Sequence, residues 1–312
     1  MAIKTLRTLT TTRALIATAA LSVVTFGVIT AGETEQKEKS MPLKPSAGKA
    51  ILLVAFGTSH ADAAAAYANV ERLVGKRFPD YEIRWAYTSK MIRRKLAKES
   101  KRLDSPDLAL ARLADDGVKE VRVQSLHIIP GVEFDEVDDT VARWAQSPSP
   151  FETLTLGAPL IDSMDDLRRS LKAVLAMAKD ARKPGDALIL MGHGSGGHVA
   201  DLLYVAAAYE LAKLDPLAFI GTVEGNPTFD EVLSQCAKVG VKRACLLPFM
   251  AVAGDHAKND LAGEEPESWK SRLTKAGIEA VPILKGMAAC DDIAIIWVDH
   301  LESSMKIESK SH

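Results

Sequence analysis

A cycle of short apolar runs and longer amphipathic stretches passes once along this chain, stops near residue 160, and begins again. In the first pass, Ile51–Phe56, Glu82–Tyr87, Glu120–His127 and Leu154–Gly157 read as strands. Between and after them, Ala61–Arg77, Met91–Glu99, Ser105–Asp116, Glu133–Gln146 and Asp165–Asp180 read as helices. In the second pass, Ala187–Met191, Phe219–Val223, Arg243–Met250 and Val281–Leu284 are the strands. Val199–Leu214, Thr228–Val239, Glu267–Ala276 and Asp291–Met305 are the helices. Strands joined by helical crossovers make parallel sheets with helices on both faces, and the crossovers are right-handed.

Overlaying the strand ends tests whether the second pass repeats the first. Phe56-Gly57-Thr58 falls on Met191-Gly192-His193 and Ala86–Ser89 on Gly221–Glu224, both at an offset of 135 residues. Ile129–Glu133 falls on Val252–His256 at 123. The 12-residue change places an extra segment in the first pass, around Lys98–Asp107. The expected architecture is α/β, with two similar doubly wound parallel-sheet domains that arose by internal duplication and face each other across a cleft. The domains should span residues 49–160 and 161–312, with a hinge near 157–163. The last helix is a candidate to return to the first domain.

The first 32 residues stand apart. Lys4, Arg7 and Arg13 precede an apolar stretch from Ala14 to Ile29, and small residues Thr30, Ala31 and Gly32 follow. This is the layout of a secretory signal peptide, so a periplasmic protein with no stable membrane anchor after cleavage is expected. Residues 33–48 are polar, contain Pro, and read as a flexible leader. Formal net charge is −2 for the whole chain and becomes −5 without the three leader cations. That balance excludes nucleic acid as an expected partner. Three cysteines with no CxxC exclude a disulfide framework and read as structural thiols.

Ligands of open parallel sheets bind beyond the carboxyl ends of the strands. Three residues of the second pass sit there: His193 in MGHGSGGH, Glu224 in GTVEGNP and His256 in AVAGDHA. Two imidazoles and a carboxylate form a borderline N/O donor set suited to divalent cobalt, iron, nickel or zinc. His198 reads as a second ligand or as a helix cap. At the corresponding loops of the first pass stand Thr58, Ser89 and Glu133. The hydroxyls of Thr58 and Ser89 suit either a ligand or the cap of a helix, and Glu133 is a candidate cleft base. His127 ends the third strand. It reads as part of the cleft floor, with haem binding as an alternative that rests on no motif. His300 and His312 read as solvated. GHGSGG lacks the Walker lysine and the GxGxxG spacing, so no nucleotide is expected, and MGHGSGG is not a serine-hydrolase elbow.

AFGTSH, FPDYEIRWAYTS, VQSLHIIPGVEF, MGHGSGGH, FIGTVEGNP and LLPFMAVAGDHAKNDLAGEEPESWK together resemble the anaerobic-type sirohydrochlorin cobaltochelatases. These are class II chelatases related to ferrochelatase. The likeness covers about residues 50–300. It implies a two-domain chelatase fold and ATP-independent insertion of Co2+ into sirohydrochlorin with loss of two pyrrole protons, on the route to cobalamin. His193 and His256 would then bind metal and accept protons, Glu224 would complete the metal site, and Glu133 would be the acidic partner. Arg84, Lys90, Arg93 and Arg94 are candidates to meet the carboxylates of the ring. A homo-oligomer is a further expectation from the resemblance. The export signal departs from the cytoplasmic setting of cobalamin-making members. Two alternatives therefore stand beside cobalt insertion: Fe2+ insertion into the same ring, and a non-catalytic periplasmic carrier of metal or tetrapyrrole.

Overall fold

The computed structural model describes residues 48–146 and 148–306. The expected signal peptide, the expected leader up to residue 47 and His312 lie outside the described residues. Strands β1 (Lys49–Ala55), β2 (Glu82–Tyr87), β3 (Glu120–Ser125) and β4 (Thr153–Gly157) form one parallel sheet in the order β2-β1-β3-β4. Strands β5 (Ala187–Gly192), β6 (Ala218–Thr222), β7 (Arg243–Pro248) and β8 (Glu279–Pro282) form a second in the order β6-β5-β7-β8. The crossovers and flanks are helices α1 (Ala61–Arg77), α2 (Lys90–Ala97), α3 (Pro106–Asp115), α4 (Val132–Ala145), α5 (Met164–Ala178), α6 (Leu202–Leu214), α7 (Phe229–Lys238), α8 (Trp269–Lys275) and α9 (Asp291–Met305). The fold is the expected pair of similar α/β sheets. The predicted helix Val199–Leu214 opens as a 3-10 turn, Val199–Asp201, before becoming α6. Among the described residues no helix is long and apolar enough to cross a membrane.

Alternation along the central strands explains the layers, because neighbouring strand residues face opposite sides of a sheet. Ala50, Leu52 and Val54 of β1 pack outward on α3 and α4, with Leu110, Leu113 and Val137. Ala187, Ile189 and Met191 of β5 pack outward on α7 and α8, with Phe229 and Trp269. The other parity, Ile51 and Leu53 with Leu188 and Leu190, enters one core shared by the two sheets. Helices α1, α5, α6 and α9 supply the rest of that core, through Val70, Leu171, Leu211 and Trp297 among others. Helix α9 packs on α1, β3 and β4, so the carboxyl-terminal helix lies against the first sheet. Trp297 Nε1 donates to the His127 carbonyl at 3.2 Å, which ties α9 to the end of β3.

Backbone hydrogen bonds fix how the passes superpose. Ser89 N–H donates to Phe56 O, and Glu224 N–H donates to His193 O. Likewise Leu126 donates to Val54, and Phe249 to Met191. The offset is therefore 137 at the first strand of each sheet, 135 after the second and 123 at the third. This corrects the sequence overlay at one place: the counterpart of His193 is Phe56, and Thr58 corresponds to Ser195. Positive φ agrees, since Gly57 (φ +101) and Gly194 (φ +87) then fall on each other. A second correction concerns the insertion. Tyr87 N–H donates to Asp104 O where Thr222 N–H donates to Pro227 O, and the caps Ser105 and Thr228 open α3 and α7 at an offset of 123. The inserted element is thus α2 and the turn after it, residues 90–103, which overlaps the expected Lys98–Asp107 but begins earlier and ends before Asp104.

Candidate functional site

The loops after β5 and β7 leave adjacent strands, and they deliver His193 and His256 to one place. Their Nε2 atoms are 3.2 Å apart, with the rings nearly perpendicular. The other nitrogen of each ring is engaged. His193 Nδ1 lies 2.9 Å from the Gly194 carbonyl, and His256 Nδ1 lies 2.6 Å from Asp260 Oδ2. A carbonyl and a carboxylate only accept, so the ring protons sit on Nδ1. In the neutral rings the Nε2 lone pairs then face each other. Two bare acceptors at that distance repel unless a proton or a metal cation lies between them. With metal–nitrogen bonds of about 2.1 Å, 3.2 Å between nitrogens gives an angle of about 100° at the metal, within the tetrahedral-to-octahedral range.

Local structure explains the pairing. Gly194 has φ +87, and a Cβ there would lie 2.5 Å from Glu224 O, so only glycine lets the His193 loop close on its neighbour. His256 heads a single wide π-type turn, Ala257–Leu261, that brings Asp260 beneath its ring. This turn had no signal in the periodicity. Two buried tyrosines were also missed. Tyr67 is linked by a backbone hydrogen bond to Gly57, and Tyr204 to Gly194, at the same 137 offset. Burial pushes both phenols well above their ordinary range. An identical ten-residue step from glycine to tyrosine in both passes was the available signal.

The histidine pair opens onto a cavity of about 380 Å3 between the two sheets' loops. Thr58, His127 and Glu133 line it, as do Phe56, Tyr67, Met91, Ile129, Tyr204, Phe249 and Val252. Glu133 stands half-buried in the first turn of α4. Thr58 Oγ1 accepts from His60 N–H at 3.2 Å. His127 Nδ1 lies 2.8 Å from Ser125 Oγ, and its Nε2 lies 3.5 Å from Thr88 Oγ1. Burial pulls His127 down to about 4, so it is a neutral wall residue at ordinary pH.

Other expected residues are not brought in. Ser89 accepts from Ile92 N–H and caps α2, outside the cavity lining. Glu224 is exposed and outside that lining; its backbone, not its carboxylate, is what meets the His193 loop. It follows β6, on the far side of β5 from β7. Among the described residues no group of three His, Cys, Asp or Glu is gathered to hold a metal. Arg84 pairs with Glu82 and Asp116 instead of facing the cleft, and Lys90, Arg93 and Arg94 are not in the lining. His198 accepts from Ala200 N–H as a cap. His300, expected in solvent, is largely buried, near the Ala158 carbonyl and Asp166. The three cysteines are free.

Two histidine–aspartate bridges cross between the halves. His60 reaches Asp255 at 3.3 Å, and His198 reaches Asp135 at 3.2 Å. In each, the cap of the first helix in one half meets the segment after the third strand of the other half. The His60 ring beside it holds the Asp255 carboxyl below the usual carboxylate range.

Comparison with known proteins bears on this geometry. The chain is 39% identical over 261 residues to sirohydrochlorin cobaltochelatase CbiKC of Nitratidesulfovibrio vulgaris, covering 84% of this chain and 92% of that protein. It is 36% identical over 262 residues to sirohydrochlorin cobaltochelatase of Salmonella typhimurium, covering 83% and 97%. Among solved structures, SirB of Bacillus subtilis with Fe3+ superposes with a TM-score of 0.57 at 15% identity, over 82% of this chain and 95% of that one, which is a likeness of fold. The family model described as cobalt chelatase (CbiK) matches residues 49–306. The chain belongs to the cobalt chelatase (CbiK) family.

Proposed function

We propose that this protein inserts Co2+ into sirohydrochlorin without ATP, acting as a metal chelatase with His193 and His256 as the metal-delivering pair. The observation that carries this reading is the facing Nε2 pair, with both Nδ1 atoms engaged elsewhere. Two neutral donors with positions left open hold a divalent ion firmly enough to collect it and loosely enough to give it up. The close identity to two sirohydrochlorin cobaltochelatases supports cobalt as the substrate metal and sirohydrochlorin as the ring.

The apolar walls of the cavity, including Phe56, Met91, Ile129 and Val252, take the face of the macrocycle. Held there, the ring nitrogens and the metal react as one complex. Co2+ displaces two pyrrole N–H protons, so the products are the cobalt-bound ring and two H+. Glu133, in the same cavity, accepts one proton. The imidazole released by the departing metal accepts the other at Nε2, and at His256 the Asp260 carboxylate stabilises the resulting imidazolium. The amino-terminal leader supports the periplasm as the compartment.

An anaerobic absorbance assay tests the reading. Sirohydrochlorin with Co2+, and in parallel with Fe2+, should give multiple turnovers above the spontaneous rate, and His193→Ala and His256→Ala should abolish them. Faster turnover with Fe2+ would reassign the metal. Tight binding of ring or metal without turnover would replace the enzyme reading with that of a carrier.

A further inference from the structure

Helix α2 has no counterpart in the second half, where the chain runs directly from Glu224 to the cap Thr228. It is the largest departure from the repeat, and it borders the cavity. Met91, Ile92 and Lys95 of α2 are in the lining. Met91 is 71% exposed. Lys95 is the one Lys or Arg among the described residues that line the cavity. Arg84, Lys101 and Arg112 nearby are committed to carboxylates, and Lys90, Arg93 and Arg94 of α2 lie outside the lining. The Lys95 side chain has no hydrogen-bond or ion-pair partner among the described residues. Met91 and Lys95 are four residues apart on one helix and so lie side by side on one face.

We infer that α2 is the orienting wall of the cleft: Lys95 binds a peripheral carboxylate of the macrocycle while Met91 packs on its apolar face. This rests on the tetrapyrrole reading above and names the group that selects the ring. A polycarboxylated tetrapyrrole has an apolar π face and a negatively charged rim. Met91 and Lys95 present the matching pair, a soft apolar contact beside an unpaired cation. Because α2 occurs in one half alone, a ring in the cleft has an unequal environment at its two edges. Lys95 therefore holds the carboxylate of whichever ring edge lies on the α2 side. The chemistry is specific to a carboxylate on an apolar plate; a neutral ring would gain from Met91 and nothing from Lys95.

The test is steady-state cobalt insertion with wild-type protein and the exposed, fold-neutral variants Lys95→Met, Lys95→Arg and Lys95→Glu. Loss of one charge-assisted hydrogen bond should raise KM for sirohydrochlorin by about tenfold in Lys95→Met, with kcat within about twofold. Lys95→Arg should restore KM, and Lys95→Glu should raise it further by repulsion. The KM increase should shrink as ionic strength rises. Unchanged KM in Lys95→Met, or a fall in kcat with KM intact, would overturn the assignment while leaving the chelatase reading in place. Absence of turnover in the wild type would instead overturn the chelatase reading.

Discussion

The two halves of this protein share a sheet order, a positive-φ glycine after the central strand and a tyrosine that holds it, yet they present different chemistry to the cleft. At matched positions one half carries His193 and His256, and the other carries Phe56 and Glu133. The first half adds α2 with Met91 and Lys95, and the second has nothing in its place. What is common to both builds a rim; what differs carries the proposed chemistry, with metal handled by the wall of His193 and His256 and the ring by the wall that includes α2.

The largest test of that division exchanges side chains at matched positions. His193→Ala should lower turnover by about a thousandfold or more, whereas Phe56→Ala should cost less than about tenfold, read by anaerobic absorbance kinetics. Next comes the matched glycine pair. Gly194→Ala should destabilise by about 4 kcal/mol, because strained φ and collision with Glu224 O add. At Gly57 the added Cβ meets Tyr87 Cδ1 at 3.2 Å, an atom that can give, so Gly57→Ala should cost about 2 kcal/mol in the same denaturant titration.

His127 sharpens the comparison through pH, since its counterpart is Met250. Its folded value near 4 lies below the unfolded value of about 6.5, so the unfolded chain binds the extra proton between those limits. Stability should be full above about pH 6.5 and fall by up to about 3 kcal/mol as pH drops to about 4. His127→Gln should flatten that part of the profile, and Met250→Leu should leave it unchanged. The smallest effect concerns the tyrosines. Tyr67→Phe and Tyr204→Phe should each cost about 1 kcal/mol in thermal unfolding, but only Tyr204→Phe should also weaken Co2+ binding in an equilibrium titration, because it holds the His193 loop.

Much of this plan was legible in the sequence. Ala61–Arg77, Glu82–Tyr87 and Asp291–Met305 end where periodicity placed them, and the strand-end rule located His193 and His256. The overlay erred at β1 because Gly192 and Gly194 both offer a match to Gly57, and hydrogen bonds such as Ser89 to Phe56 decide between them. The π-type turn was invisible for a related reason: five residues are too few for any period to show. Glu224 shows the limit of counting from a strand end. That rule places a backbone on the rim and leaves the direction of its side chain open.

The two histidine–aspartate bridges bear on how often this cleft can be used. Their side chains are 26–64% exposed, and bridges of that kind contribute at most about 1 kcal/mol each. Together they therefore lower the population of an open mouth by about thirtyfold at most, leaving a few per cent of molecules open at any instant. The shared core of Ile51, Leu190, Trp297 and their neighbours keeps the halves joined beneath. Motions of loops and rims on that scale recur within microseconds to milliseconds, against turnover times of about a millisecond to a second for typical enzymes. Opening of these two bridges is thereby fast against a typical turnover, so they are no barrier to repeated use of the cleft.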